Sequence, residues 1–242
     1  MVAEQLKQQY KFSYKQFSII GKRTSNEDRV RVINNNDWQL LLLADGMGGY
    51  SNGEAAAELA IDILTEYVSK APQNAIEDIN NVFINANNSI SEKLSGAGTT
   101  IGGVLLSNGH ANIFWAGDVR VYLIDSFNTK YVTKDHSLAQ LMRDSKTIVN
   151  PTEIDRFKNT VTRGLGGNSS AYLPDKVDLT LSGNSKGLIC SDGVHGLFSD
   201  AEVFSLLGHQ DESFIIDSLE ERIYKKGMDN ASAVLFSYSY LI

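Results

Sequence analysis

Twice in this chain an apolar run that belongs in a protein core stops at a small residue, an aspartate and a glycine. Leu41, Leu42 and Leu43 lead through Ala44 to Asp45-Gly46, and Leu188, Ile189 and Cys190 lead through Ser191 to Asp192-Gly193. Both runs read as buried strands. An unpaired buried carboxylate is strongly disfavoured, so a fold that buries these strands must also compensate the acids at their tips. A third acid, Asp229, precedes the last strand-like run, and Glu27 and Asp28 precede RVRVIN. Acids therefore stand at four strand margins. If the margins converge, mutual repulsion raises their pKa values or calls for cations. Hard divalent ions answer that call, and ligands made only of oxygen select magnesium or manganese over zinc. The glycines let backbone approach an ion closely. A single Asp-Gly after a strand is most often a turn; the joint pattern favours the site.

Hydrophobic periodicity places these margins in a mixed architecture. The first half offers strand-like QFSIIG, RVRVIN and WQLLLLA. A capping-box pattern at Ser51 and Glu54 then opens a helix with Leu59, Ala60, Ile63, Leu64 and Tyr67 on one face. A second helix follows Asn74, with Ile76, Ile79, Phe83, Ala86, Ile90 and Leu94 inward. Short β-like runs come next: TIGGVLLS, ANIFWAG, VRVYLI and KYVT. Asn108-Gly109 between the first two is a strong hairpin signal. Residues 135 to 174 read as short helices and loops. KVDLTLS and GLIC are strands, helices follow at Asp200 to Leu207 and from about Ser213, and ASAVLFSYSY closes the chain as a strand. Clustered strands with paired helices imply α+β layers rather than a doubly wound sheet.

Composition narrows the function. The 242 residues fit one large domain, with no repeat or low-complexity linker. A formal net charge of −7 speaks against a nucleic-acid partner, which asks for a basic stripe. One cysteine excludes an internal disulfide, the first residues show no signal-peptide pattern, and no apolar stretch reaches the length of a membrane span. The expectation is a cytoplasmic protein.

The ordered set GKRTSNED, ADGMGG, GAGTT, AGDVR, DHS, TRGLG, SDG and DNAS, running from Gly21 to Ser232, resembles the metal-dependent protein phosphatases of the PPM or type 2C family, in its bacterial branch. The resemblance implies a four-layer α/β/β/α sandwich, two antiparallel sheets flanked by helix pairs. It implies a single catalytic domain over 1–242 with a flap-like segment at about 138–158. It implies two Mn2+ or Mg2+ ions sharing Asp45, with Asp192 and Asp229 completing one ion and the Gly46 carbonyl a ligand of the other. Glu27 would hold a metal-bound water, with Asp28 a supporting acid beside it. Arg23 would bind phosphoryl oxygens, and Asp118 would join Asp192 at a third, weaker ion. The implied chemistry is direct attack of a metal-bridging hydroxide on phosphoserine or phosphothreonine proteins, opposing a serine/threonine kinase. Two positions depart from the pattern. Met47 stands where many relatives carry histidine, and Val119 where a serine is usual.

Several other features read as structural. GNSKG around Ser185 lacks the strand-then-helix setting of a nucleophile elbow. Cys190 lacks the arginine of a cysteine-phosphatase loop and reads as core. RGLGGNSS lacks the ending of a P-loop. His195, beside the SDG acid, reads as loop structure, and His136, Trp38 and Trp115 read as structural residues. A non-enzymatic binding module and a two-metal nuclease remain as alternatives; the intact acid set weighs against the first and the negative charge against the second.

Overall fold

The computed structural model describes residues 10–48, 52–145, 151–167 and 171–240. The chain begins with β1 (Tyr10–Ile19), β2 (Asp28–Asn34) and β3 (Trp38–Met47), then the helices α1 (Asn52–Lys70) and α2 (Ile79–Lys93). A run of strands follows: β4 (Gly98–Ser107), β5 (His110–Ala116), β6 (Arg120–Ile124) and β7 (Lys130–Val132). Then come α3 (Leu138–Asp144), α4 (Pro151–Ile154), β8 (Leu165–Gly166), β9 (Asp175–Thr180) and β10 (Ser185–Cys190). The chain closes with α5 (Asp192–His195), α6 (Asp200–Leu207), α7 (Glu212–Lys226) and β11 (Ala231–Tyr240).

The strands form two antiparallel sheets. One has the order β1-β11-β10-β6-β7; the other has the order β2-β3-β4-β5-β9, with β8 paired to β4. Three apolar layers hold the stack. Leu40, Leu42 and Ala44 of β3 pack under α1 and α2 with Ile61, Leu64, Phe83 and Ile90. Leu41 and Leu43 point the other way, into the space between the sheets, against Ile113, Val121, Ile189 and Phe236. Leu188 and Cys190 face Phe204, Ile215 and Leu219 of α6 and α7. The expected α/β/β/α sandwich is therefore observed. A strand covered on both faces needs apolar residues at every position, because successive side chains alternate sides. That is why LLLLA shows no alternation.

Local chemistry explains most boundaries. Asn108 and Gly109 both have positive φ, 49° and 79°, which suits the tight turn joining β4 to β5. Ser199 and Glu202 form a reciprocal capping box at the start of α6. The proposed box at Ser51 lies outside the described residues. Two details differ from expectation. The second helix starts at Ile79 rather than just after Asn74, because Pro72–Asn74 forms a separate 3-10 turn and the Asp78 carboxylate accepts from the Tyr67 hydroxyl at 2.9 Å. The segment after Cys190 forms a short helix, α5, rather than a loop.

Glycine also makes room for a ring on the helix-facing side of the second sheet. A β-carbon on Gly103 would sit 2.3 Å from the Phe114 ring and 2.8 Å from Leu42 Cδ2. Replacing Gly103 with Val is expected to cost about 1–3 kcal/mol through overpacking, and Leu43→Ala about 2–5 kcal/mol through loss of inter-sheet packing. Urea unfolding curves of the two variants check both values.

Candidate metal centre

The two sheets present their acids at one end. Antiparallel register sets Asp28 of β2 opposite Asp45 of β3, and Asp45 opposite Thr100 of β4. In the other sheet Cys190 pairs with Ala233, so the residues just beyond β10 and just before β11, Asp192 and Asp229, arrive side by side. A cavity of about 390 Å³ opens there. Asp45, Asp118, Asp192, Asp229 and Glu27 line it with Gly46, and Arg23 is the only cation among its described lining residues. Asp28 lies behind it, 2% exposed. Every residue expected at the site is thus at this cavity or directly behind it.

Burial and mutual charge push Asp28, Asp45, Asp118 and Asp192 upward. The Asp45 carboxyl stands well above the ordinary range, first because it is buried and then because Asp28, Asp192, Asp118 and Asp229 surround it. Burial and Asp192 raise Asp118 to about 7. Burial and Asp229 raise Asp192 to about 6, with Arg23 working the other way. Asp28 also rises to about 6 through burial, against the hydrogen bonds of Ser232 and Ser191.

The donor set fits hard divalent cations. It is made of oxygen alone, and two buried oxygens there, Asp28 Oδ1 and Thr100 Oγ1, have no hydrogen-bond partner among the described residues. A β-carbon on Gly46 would fall 2.3 Å from the Gly53 carbonyl oxygen and 2.9 Å from that of Glu27, so only glycine allows this backbone approach. Among the described residues no three His, Cys, Asp or Glu side chains stand together as a closed ligand group. Bare carboxylates repel one another, and that of Asp229 is taken by Arg23, whose Nε and Nη2 each donate to it at 2.7 Å. Arg23, expected on phosphoryl oxygens, therefore sits on an acid of the same cavity.

Residues that the sequence reading passed over hold the acids in place. Asn230 ties the Arg23–Glu27 loop to the last strand: its Oδ1 accepts from the Glu27 N–H, and its Nδ2 donates to the Ile20 and Ser25 carbonyls, each at 2.9 Å. Its position directly after Asp229 was the available signal. Ser191 Oγ donates to Asp28 Oδ2 at 2.8 Å and accepts from the Ser232 N–H at 3.0 Å, joining the two sheets. His195 Nε2 donates to the Asp118 carbonyl at 2.9 Å; burial, then the charge of Arg120, lower its pKa to about 4, so it is neutral. Val119 packs between the sheets. Cys190 is buried, its thiol pushed up to about 12 and inert. Trp38 and Trp115 are both in the core.

Comparison with known proteins adds to this geometry. A family model described as Protein phosphatase 2C matches residues 17–213. The serine/threonine phosphatase stp of Listeria monocytogenes is 28% identical over 199 residues, which cover 76% of this chain and 78% of that protein. The crystal structure of the serine/threonine phosphatase PstP/Ppp of Mycobacterium tuberculosis is 26% identical, with a TM-score of 0.80 over 93% of this chain and 97% of that one. A structure of the PstP catalytic domain in complex with two manganese ions is 25% identical, with a TM-score of 0.80 over 95% of this chain and 99% of that one.

The raised acids carry a pH signature. Asp28, Asp118 and Asp192 hold protons in the native state that the unfolded chain gives up near the ordinary carboxylate range, so the metal-free fold loses stability as pH rises from about 4 to about 7. His195 acts oppositely, its contribution being lost as pH falls below about 6.5, but it is one group against several. Melts of chelator-treated protein are expected to show a higher Tm at about pH 5 than at about pH 7.5, and added manganese to raise Tm most at the higher pH.

Proposed function

The chain belongs to the protein phosphatase 2C family and is a metal-dependent serine/threonine protein phosphatase, and we propose that the carboxylate cavity is where phosphoserine and phosphothreonine esters are hydrolysed. One observation carries this placement: among the described residues, five carboxylates from separate segments of the chain line one cavity with a single guanidinium. We further propose that the chain acts as one catalytic domain with a flap-like segment at about 138–158.

Two manganese or magnesium ions bound there would supply a water of lowered pKa as the nucleophile and neutralise charge on the phosphoryl group. Asp45, Asp192, Asp229 and the Gly46 carbonyl would hold them, Glu27 through a bound water, with Asp118 and Asp192 at a weaker third position. The chain's own part is positional. The buried β3 fixes Asp45, and Ser191 fixes Asp28 against the opposite sheet. Arg23 is 60% exposed and its fork suits phosphoryl oxygens as well as it suits Asp229, so it exchanges one partner for the other when substrate enters. Met47 has no proton to give, so the leaving serine or threonine oxygen takes its proton from water.

The proposed partners are phosphoproteins and the serine/threonine kinase that forms them. The proposed compartment is the cytoplasm, which suits a lone buried thiol. Among the described residues no helix is long and apolar enough to cross a membrane.

Hydrolysis of a phosphothreonine peptide is expected with manganese, to vanish on adding EDTA and to return when manganese is restored. Asp45→Asn is expected to lower kcat by at least about 100-fold while the metal-free Tm at neutral pH stays the same or rises, since one repelling carboxylate is removed. Arg23→Ala is expected to raise KM for para-nitrophenyl phosphate by about 10-fold with a smaller change in kcat. Absence of turnover with every divalent metal tried rejects the assignment.

A further inference from the structure

The Gly117–Asp118 turn, which brings Asp118 into the cavity, is gripped by a residue far along the chain. Gly117 has φ +116°, and a β-carbon there would strike Thr100 at 2.3 Å, so this turn has no room to shift toward β4. Both polar backbone groups of Gly117 go to His136. The His136 N–H donates to the Gly117 carbonyl at 2.8 Å, and the Gly117 N–H donates to His136 Nδ1 at 3.1 Å. An imidazole nitrogen that accepts carries no proton, so the ring hydrogen is on Nε2. Asp175 Oδ2 lies 3.2 Å from Nε2, out of line for a good hydrogen bond. The ring stacks on Trp115, centroids 5.9 Å apart and planes within 7°.

The same residue holds the two roots of the flap-like segment together. The His136 carbonyl accepts from the Thr162 N–H at 2.8 Å, Ser137 bridges Val161, and the Leu138 N–H donates to the Thr160 carbonyl at 2.8 Å. Val161 and Asn159 on the returning root line the cavity. His136 therefore bonds to the acid turn through its ring and N–H, and to the returning root through its carbonyl.

We propose that His136 is a positioning residue that sets Asp118 in register with the roots of the flap-like segment and so determines how well the cavity binds its weakest metal ion. The proposal rests on reading Asp118 as an acid of the metal cavity. Packing alone would predict that any side chain filling the space beside Trp115 serves equally. Positioning predicts that the acceptor at Nδ1 is what counts. Asn places its Oδ1 near the position of Nδ1, whereas Gln reaches only toward Nε2.

Manganese binding is measured by isothermal titration calorimetry for wild type, Asp118→Asn, His136→Asn, His136→Gln and His136→Ala, alongside kcat and KM for para-nitrophenyl phosphate. His136→Gln and His136→Ala are expected to weaken the weakest manganese step by about 10-fold and to lower kcat similarly, with KM within about two-fold, while His136→Asn retains both. Two results overturn the proposal: His136→Gln binding manganese like wild type while Asp118→Asn does not, or His136→Asn being as impaired as His136→Gln. Should His136→Ala fail to fold, the Asn and Gln pair still decides. If Asp118→Asn itself titrates like wild type, it is the reading of Asp118 as a metal acid that fails, and the role given to His136 falls with it.

Discussion

Repulsion among carboxylates that burial holds together is the constraint on which this structure depends. Asp45 cannot leave, because its strand is covered on both faces and its neighbours Leu41, Leu42 and Leu43 are fully buried. Asp192 and Asp229 cannot leave either, since they cap the central strands of the opposite sheet. Asp28, Asp192, Asp118 and Asp229 all raise Asp45, and the only cation among the described lining residues is Arg23 at the rim. A cavity of this kind stores an electrostatic cost that hard cations relieve. The sandwich core supplies the rigidity that prevents the acids from relieving it by moving apart.

The supporting shell divides the work. Ser191 and Asn230 bind across the boundary between the sheets, so the acids of one sheet are indexed to the loop and strand of the other. His195 and His136 hold the Asp118 turn from two sides, one at the Asp118 carbonyl and one at both polar groups of Gly117. None of these groups is charged in the arrangement seen. Neutral donors and acceptors can fix an anion's geometry without neutralising it, which leaves the charge available to a metal.

Much of this was legible from residue order. LLLLADG and GLICSDG announced buried strands ending in acids, Asn108-Gly109 announced its hairpin, and the stripe of α2 announced its inward face; in α1 the buried face is turned toward Ala56, Ala57, Ile61 and Val68, with Leu59, Ile63 and Tyr67 at its margin. The start of α2 was misplaced because Ile76 continued the apolar spacing, while Asp78 was committed to Tyr67 rather than to a helix cap. The short α5 was read as loop, since four residues carry no periodicity. Arg23 was legible as a member of the site but not as the partner of Asp229, because a guanidinium fork suits carboxylate and phosphate alike.

The sequence by itself determined which runs form the core strands, which acids end them and which family pattern the chain carries, because those properties depend on side-chain type and near-neighbour spacing. Only the tertiary structure decided that Asp28, Asp45, Asp118, Asp192 and Asp229 meet at one end of the sandwich, and that Asn230, Ser191 and His136 hold them there. These partners are separated by 19 to more than 200 positions along the chain. Strand register and hydrogen-bond direction bring them together, and neither is written in any local stretch.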